Sequence, residues 1–217
     1  MSLPFTREQF FQAFAGYNEA VWPAQVLLQG LALAAVWLAV ARRRDAGPWI
    51  AAILALLWAW TGVAYHFVHF RPINPAATLF AAVFLAGAAL FLWEGVACAR
   101  LRFDVTDRTR LAIAGALIGY SLLVYPGLSV MLGHAYPAMP TFGLPCPTTI
   151  FTIGVLALLR PPYPRSVFIV PVLWALIGVQ ATFLLGVYED LGLIAAPGAG
   201  AWLALQGRRT HEQPLVS

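Results

Sequence analysis

Apolar runs of roughly 20 residues alternate along the chain with short segments that contain arginine, proline or both. A helix needs ~20 residues, rising 1.5 Å each, to cross the hydrocarbon core of a bilayer. The pattern therefore predicts an all-α fold, a polytopic membrane protein with a bundle of about seven transmembrane helices. The predicted ranges are 22–40, 49–66, 76–97, 111–132, a fifth that ends at 159, 167–187 and 191–206. Residues 1–217 are predicted to form a single transmembrane domain, with 207–217 as a cytoplasmic tail.

Two of these helices carry further signals. Thr106 or Asp107 is expected to cap the fourth helix, because short polar side chains accept hydrogen bonds from the first-turn backbone. The seventh helix is short and contains Pro197, Gly198 and Gly200.

The first 20 residues have the pattern of a separate amphipathic helix. Thr6 and Gln9 have the spacing of a capping box, and Phe5 and Phe10 that of a hydrophobic staple. Phe10 shares one helical face with the three later aromatic residues Phe11, Phe14 and Tyr17. This pattern predicts a short helix in the membrane interface, the alternative being a simple first turn of helix one.

Arginines predict the orientation. Eleven of the thirteen basic residues, all of them arginines, lie in segments 42–44, 100–110, 160–165 and 208–209, which share one side of a seven-helix bundle. Arg7 and Arg71 are the two that fall on the other side. Cytoplasmic loops of membrane proteins carry such an excess, so the N-terminus is predicted outside and the C-terminus in the cytoplasm.

Composition excludes several classes of protein. Hydrophobic residues make up 61% of the chain and charged residues 10%, whereas soluble domains carry roughly 25% charge. Basic residues in short separated clusters do not form the open patch that nucleic acid requires, so no nucleic-acid partner is expected. A retinal Schiff base is excluded because the chain has no lysine. Cys98 and Cys146 are expected ~20–30 Å apart, too far for a disulfide.

The predicted outer side collects most of the polar residues that are able to bind a ligand. They are Asn18, Glu19, His66, His69, Arg71, Asn74, His134, Tyr136, Cys146, Glu189 and Asp190. Asn18, Glu19, Arg71, Asn74 and Tyr136 are candidates for ligand binding, and the alternative is an interfacial polar rim. Asn74 is also a candidate cap of helix three, and Arg71 is expected to pair with Glu189 or Asp190, or to hold an anion.

Residues 133–147 form the most unusual segment, with four prolines and His134 as the one basic side chain. The apolar stretch 148–159 that follows is only ~18 Å long as a helix, too short to span a bilayer. We therefore expect residues 141–147 to enter the membrane as a re-entrant loop or broken helix. Irregular backbone at that depth must be buried in protein or line a wet cavity, which would place His134 and Cys146 in a recessed pocket.

Three histidines and a cysteine suggest metal chemistry on this side. His66 and His69 share a face if their helix stays α-helical, and with His134 and Cys146 they are the residue types of a transition-metal site. A haem with two of the three histidines as axial ligands is an alternative. A further alternative is that each side chain separately bonds a loop carbonyl.

Glu94 lies within the third apolar run. A carboxylate inside a membrane suggests proton or cation handling and makes Glu94 a further candidate for ligand binding. Arg100 is one to two turns away, however, so a salt bridge at the helix end is an equal alternative.

Two motifs resemble a known family. They are Phe5-Thr6-x-x-Gln9-Phe10-Phe11 with Tyr17-Asn18-x-Ala20-Val21-Trp22-Pro23, and Pro145-Cys146-Pro147-Thr148-Thr149-Ile150-Phe151-Thr152. The chain resembles, over nearly its full length, an uncharacterised family of bacterial multi-pass membrane proteins, a domain-of-unknown-function group. The resemblance implies a bacterial inner-membrane location and supplies no activity or catalytic residue.

The leading hypothesis is an inner-membrane protein that binds a metal ion or small molecule in a recessed outer pocket, with a transporter as one form of it. The alternatives are a haem-binding redox subunit and a non-catalytic accessory subunit of a larger membrane complex. The lipid bilayer is an expected partner in each case, and the accessory role adds a membrane-protein partner or a homo-oligomer. No catalytic residue is predicted, and an enzyme is not favoured.

Overall fold

The computed structural model describes residues 3–41, 43 and 45–207, and this part of the chain is helical, with isolated β-bridges but no strand. Its eight helices are α1 Arg7–Val21, α2 Ala24–Val40, α3 Ala46–Phe70, α4 Ala77–Ala97, α5 Arg108–Met131, α6 Pro145–Leu156, α7 Ser166–Leu184 and α8 Gly192–Gln206. The all-α prediction is confirmed.

Four of these helices, α3, α4, α5 and α7, are long and apolar enough to cross a membrane. The pair α1 and α2 meet at 86° and would count as a fifth span if taken together. By contrast, α6 has 12 residues and α8 has 15. The predicted fifth and seventh helices therefore exist but are short, and helix length and composition support four or five spans rather than seven.

Helix α1 begins as the sequence predicts. The backbone N–H of Thr6 donates to Gln9 Oε1 at 2.8 Å, and the N–H of Gln9 donates to Thr6 Oγ1 at 3.2 Å, which completes the capping box. The Phe5 and Phe10 rings stack at 5.8 Å as the staple requires. Because the chain turns through 86° at Trp22 and Pro23, α1 is a separate helix and the first-turn alternative is wrong.

Helix α6 lies at the centre of the fold, packed against α5, α7 and α8. Every residue in it except Cys146 is buried. Pro145 and Pro147 occupy its first turn, where a missing N–H breaks no helical hydrogen bond. The helix therefore covers 145–156, whereas the predicted stretch was 148–159: both its first and its last residue lie three positions earlier than predicted.

The far end of α6 is closed by an arginine. The carbonyl of Ala157, which caps α6, accepts a hydrogen bond from Arg110 Nε at 3.1 Å. Arg110 is buried and also donates through Nη2 to the Tyr163 hydroxyl at 2.9 Å. A cation at this position complements the negative C-terminal end of the helix dipole. Arg110 also belongs to the first turn of α5. Its N–H donates to the Asp107 side chain at 2.9 Å, so Asp107, one of the two predicted caps of α5, is confirmed.

The connecting segments gather at two opposite ends. Segments 98–107 and 157–165 meet at what we call the arginine end, where Arg160 pairs with Asp104 at 3.1 Å. The other end, the aromatic end, is formed by α1, residues 65–74 and the Pro-rich loop 133–144. The grouping of these segments matches the sides expected from the sequence. Arg42, Arg44 and residues 208–217 of the predicted tail lie outside the described residues.

Candidate ligand-binding cavity

A cavity of about 310 Å³ lies beneath α1 at the aromatic end. Its walls come from α1, α3, the first turn of α4, the start of α6 and the outer part of α7. Most of the lining is apolar, and seven Phe, Tyr and Trp rings contribute to it: Phe5, Phe10, Phe14, Tyr65, Phe70, Phe80 and Trp174. The cavity is open on one side, and none of the described residues that line it is charged.

Two lining side chains carry buried polar atoms without partners. His66 is 1% exposed, and neither of its ring nitrogens makes a hydrogen bond. Tyr65 is 2% exposed, and its hydroxyl is likewise unpartnered. The His66 ring is held instead by the faces and edges of Phe84 and Trp174, each 4.9 Å away between ring centroids. Buried polar groups are almost always hydrogen-bonded, so these two side chains offer free hydrogen-bonding groups to a molecule in the cavity.

A tryptophan and a cysteine face each other across Gly178. A Cβ built on Gly178 would lie 3.3 Å from Trp174 Nε1 and 3.5 Å from Cys146 Sγ. Trp174 Nε1 has no hydrogen-bond partner of ordinary geometry among the described residues, and the nearby Cys146 sulfur is only a weak acceptor for it. The absence of a side chain at Gly178 therefore leaves a third polar atom available to a ligand.

Beside the cavity, the short 3₁₀ turn Tyr188–Leu191 carries two fully buried carboxyl groups. Glu189 Oε1 lies 2.6 Å from His134 Nδ1. The Tyr125 hydroxyl donates to Asp190 Oδ1 at 2.5 Å. Burial raises the pKa of Asp190 from 3.8 to about 7. Hydrogen bonds from Tyr125 and Cys146 lower that pKa, and the neighbouring Glu189 raises it. Asp190 therefore holds or releases a proton close to neutral pH.

The predicted metal ligands come together only in part. His66 and Cys146 line the same cavity, but His134 is turned to Glu189, and His69 Nδ1 lies 2.7 Å from the Ala64 carbonyl oxygen. Within the described ranges no three His, Cys, Asp or Glu side chains are placed to hold a metal ion. His66, His69, His134 and Cys146 therefore do not form one site in the described structure. His69 instead bonds a nearby backbone carbonyl, as the alternative interpretation had it.

Asn18 clamps the Pro-rich loop instead of facing the cavity. Its Nδ2 donates to the carbonyls of Pro137 at 2.6 Å and Met139 at 2.8 Å, and its Oδ1 accepts from the Thr141 hydroxyl at 2.6 Å. The predicted candidate Tyr136 donates to the Asn18 carbonyl at 3.2 Å. These bonds give both residues a structural role at the base of α1. Glu19 is exposed beside them.

The remaining two candidates at the aromatic end, Arg71 and Asn74, also have local roles. The Arg71 guanidinium lies over the Phe67 ring at 4.3 Å, so the expected pair with Glu189 or Asp190 does not form. Asn74 lines the cavity, and its Oδ1 accepts from the Ala76 N–H at 3.1 Å. Ala76 is itself the N-cap of α4 and no side chain caps this helix, so the prediction that Asn74 caps it is wrong.

Glu94 lies far from the cavity, at the arginine end. One carboxylate oxygen pairs with Arg100 at 3.2 Å, and the other accepts from the Ser166 hydroxyl at 2.9 Å. The salt-bridge alternative for Glu94 therefore describes its geometry.

Sequence reasoning missed Tyr65, Trp174 and Tyr125. Each lies inside an apolar run, where an aromatic side chain is read as core or as interface. Tyr65 could have been found from its position next to His66, because two adjacent hydrogen-bonding side chains are unusual inside an apolar stretch.

Comparison with known proteins gives a family but no activity. No curated protein and no solved structure matches the chain. A model of the "Family of unknown function (DUF6064)" matches residues 7–213, and the chain therefore belongs to that family.

Proposed function

We propose that this protein is an integral membrane protein that binds a neutral, mainly apolar small molecule in the cavity beneath α1. The observation that carries the proposal is the pair of buried, unpartnered groups on His66 and Tyr65 inside an apolar cavity. A bound molecule with a polar group would satisfy these atoms, and its apolar remainder would fit the aromatic wall.

The surface supports the membrane part of the proposal. Large hydrophobic side chains that are more than half exposed occur on α2, α3, α4 and α7: Leu27, Trp37, Trp49, Leu79, Ile169 and Phe183. Such a surface is costly in water and favourable in lipid. Together with the four apolar helices and the arginine asymmetry, it supports a membrane location with the aromatic end on the non-cytoplasmic side. A bacterial inner membrane is the location that we propose.

The cavity favours a neutral molecule over the metal ion of the original hypothesis. A metal ion would need several ligands within ~2.0–2.3 Å of one point. Among the described residues only His66 and Cys146 are ligand types that line the cavity. An ion with charge +2 would also have no neutralising carboxylate in the described wall.

The test is extraction of the bound molecule. The protein is purified from membranes in mild detergent, denatured in organic solvent, and the extract is analysed by mass spectrometry. Wild type is expected to yield a neutral molecule in about one-to-one ratio, and the cavity-lining Ala181→Phe variant is expected to lack it. Ala82→Phe, on the exposed face of α4, is the matched control and should retain the molecule. The proposal would be ruled out if the wild-type extract contained only lipids, in the same amounts as the extract from Ala181→Phe.

A further inference from the structure

We infer that the molecule in this cavity is a lipid-soluble quinone held by its ring, an inference that rests on the proposed function. A quinone is a flat neutral ring with two carbonyl oxygens, usually carrying an apolar tail. Each of these features corresponds to a separate property of the cavity.

The unpartnered atoms call for a ligand rich in hydrogen-bond acceptors. The Tyr65 hydroxyl and the Trp174 indole N–H are both able to donate, and the indole N–H can only donate. The neutral His66 ring donates from one nitrogen and accepts at the other. A ligand with carbonyl oxygens satisfies the donors, whereas an alcohol with a single hydroxyl satisfies fewer of them.

The wall selects a neutral and flat group. A carboxylate or phosphate would find no cation among the described lining residues, and burying an unpaired charge is prohibitive. The rings of Phe10, Phe14, Phe80 and Trp174 offer edges and faces to an aromatic ligand, which prefers offset or edge-to-face packing.

The size and opening of the cavity fit a ring with its tail outside. A volume of 310 Å³ is at the lower end of the range of about 300–1,000 Å³ for small-molecule pockets, so it takes a head group and not a long chain. Leu3 and Leu184 line the cavity and are 40% and 59% exposed. An apolar mouth of this kind lets a tail leave sideways into lipid.

The experiment compares two probes that differ only in the carbonyl oxygens. Ligand-stripped protein in detergent is titrated calorimetrically with a naphthoquinone that carries one isoprenoid unit and with the naphthalene of the same substitution. Wild type is expected to bind the quinone roughly tenfold more tightly or better, since at least two hydrogen bonds are gained. Tyr65→Phe should weaken quinone binding roughly threefold to tenfold and leave naphthalene binding unchanged. The control is Tyr188→Phe, an exposed tyrosine outside the cavity, which should match wild type.

The outcomes separate the ligand class from the proposed function. Equal binding of both probes, unaffected by Tyr65→Phe, overturns the quinone assignment and leaves the binding of a neutral apolar molecule in place. Failure of both probes while a different molecule is extracted from wild type, and not from Ala181→Phe, has the same meaning. Failure of both probes with no extracted molecule overturns both.

Discussion

Replacement of Tyr65 by phenylalanine should stabilise the ligand-free protein, which is the opposite of what truncating a buried polar group usually does. The Tyr65 hydroxyl is buried and has no hydrogen-bond partner, while its ring packs against Phe70 at 5.4 Å between centroids and against Phe14 at 5.8 Å. Phenylalanine keeps the ring contacts and removes only the unsatisfied hydroxyl. An unsatisfied buried polar group costs about 1–3 kcal/mol, so the free energy of unfolding should rise by about 1 kcal/mol.

The matched control is Tyr125→Phe. The Tyr125 hydroxyl is also buried, but it donates to Asp190 at 2.5 Å. Its removal should lower the free energy of unfolding by about 1–3 kcal/mol, because the buried Asp190 oxygen is left without its hydrogen-bond donor. The two variants make the same chemical change in the same fold, so the partner in the structure is the difference between them.

The assay is thermal unfolding of ligand-stripped protein in one detergent, followed by tryptophan fluorescence. A change of 1 kcal/mol corresponds to about 2–4 °C for a chain of this size. Tyr65→Phe is expected to unfold higher than wild type by about that amount, and Tyr125→Phe lower by at least as much. If Tyr65→Phe unfolds at a lower temperature than wild type, the hydroxyl has a protein partner and the cavity argument loses its basis.

Three further predictions concern the surroundings of the cavity. The pKa of Asp190 is raised from 3.8 to about 7, so between these pH values the folded protein keeps a proton that the unfolded chain has lost. The free energy of unfolding should therefore fall by up to about 1.4 kcal/mol per pH unit as the pH rises from about 4 to 7, and level off above about pH 7. In denaturation measured across pH, Asp190→Asn should remove this slope. Arg110→Met should lower the free energy of unfolding by roughly 2–3 kcal/mol, because the Ala157 carbonyl and the Tyr163 hydroxyl both lose a charged donor. An unchanged midpoint of thermal unfolding would show that α6 does not depend on this arginine. Asn18→Ala should lower the free energy of unfolding by roughly 2–4 kcal/mol and speed amide hydrogen exchange in residues 137–141. Substitution of the neighbouring exposed residue, Glu19→Ala, should leave both quantities unaltered. Equal exchange rates in the two variants would contradict the role of Asn18 in holding the loop.

Local features of the fold were predictable because their causes are local. The capping box of Thr6 and Gln9 spans four residues, and Asp107 caps the first turn of the helix that follows it. Such signals depend on backbone groups that no distant segment supplies. The meeting of segments 98–107 and 157–165 at one end was predictable for a related reason, since alternation of loops follows from consecutive helices.

For helix α6 the sequence indicated its short length but not its boundaries. The short apolar stretch before Arg160 predicted a segment that does not span, and α6 has 12 residues. The boundary was wrong by three residues because Pro145 and Pro147 were interpreted as loop residues. In the structure they occupy the first helical turn, where proline is favourable.

The histidine site was not predictable because its geometry depends on helix type and on distant partners. Residues Thr61–Phe70 of α3 are π-helical, with the Arg71 N–H bonded to the His66 carbonyl five residues back. The three-residue spacing that aligns side chains in an α-helix therefore does not align His66 with His69. His66 contacts Trp174, and His69 contacts Tyr17. The partner of His134, Glu189, is 55 residues away in sequence.

The central claim, that the cavity beneath α1 holds a neutral molecule, is tested most directly by native mass spectrometry of the protein released from membrane-derived lipid particles. Wild type should show a population heavier than the bare chain by one discrete neutral mass. That mass should disappear in Ala181→Phe and persist in Ala82→Phe. If wild type and Ala181→Phe show the same masses, with either the same adduct or none, the cavity is not a ligand site and the account is contradicted.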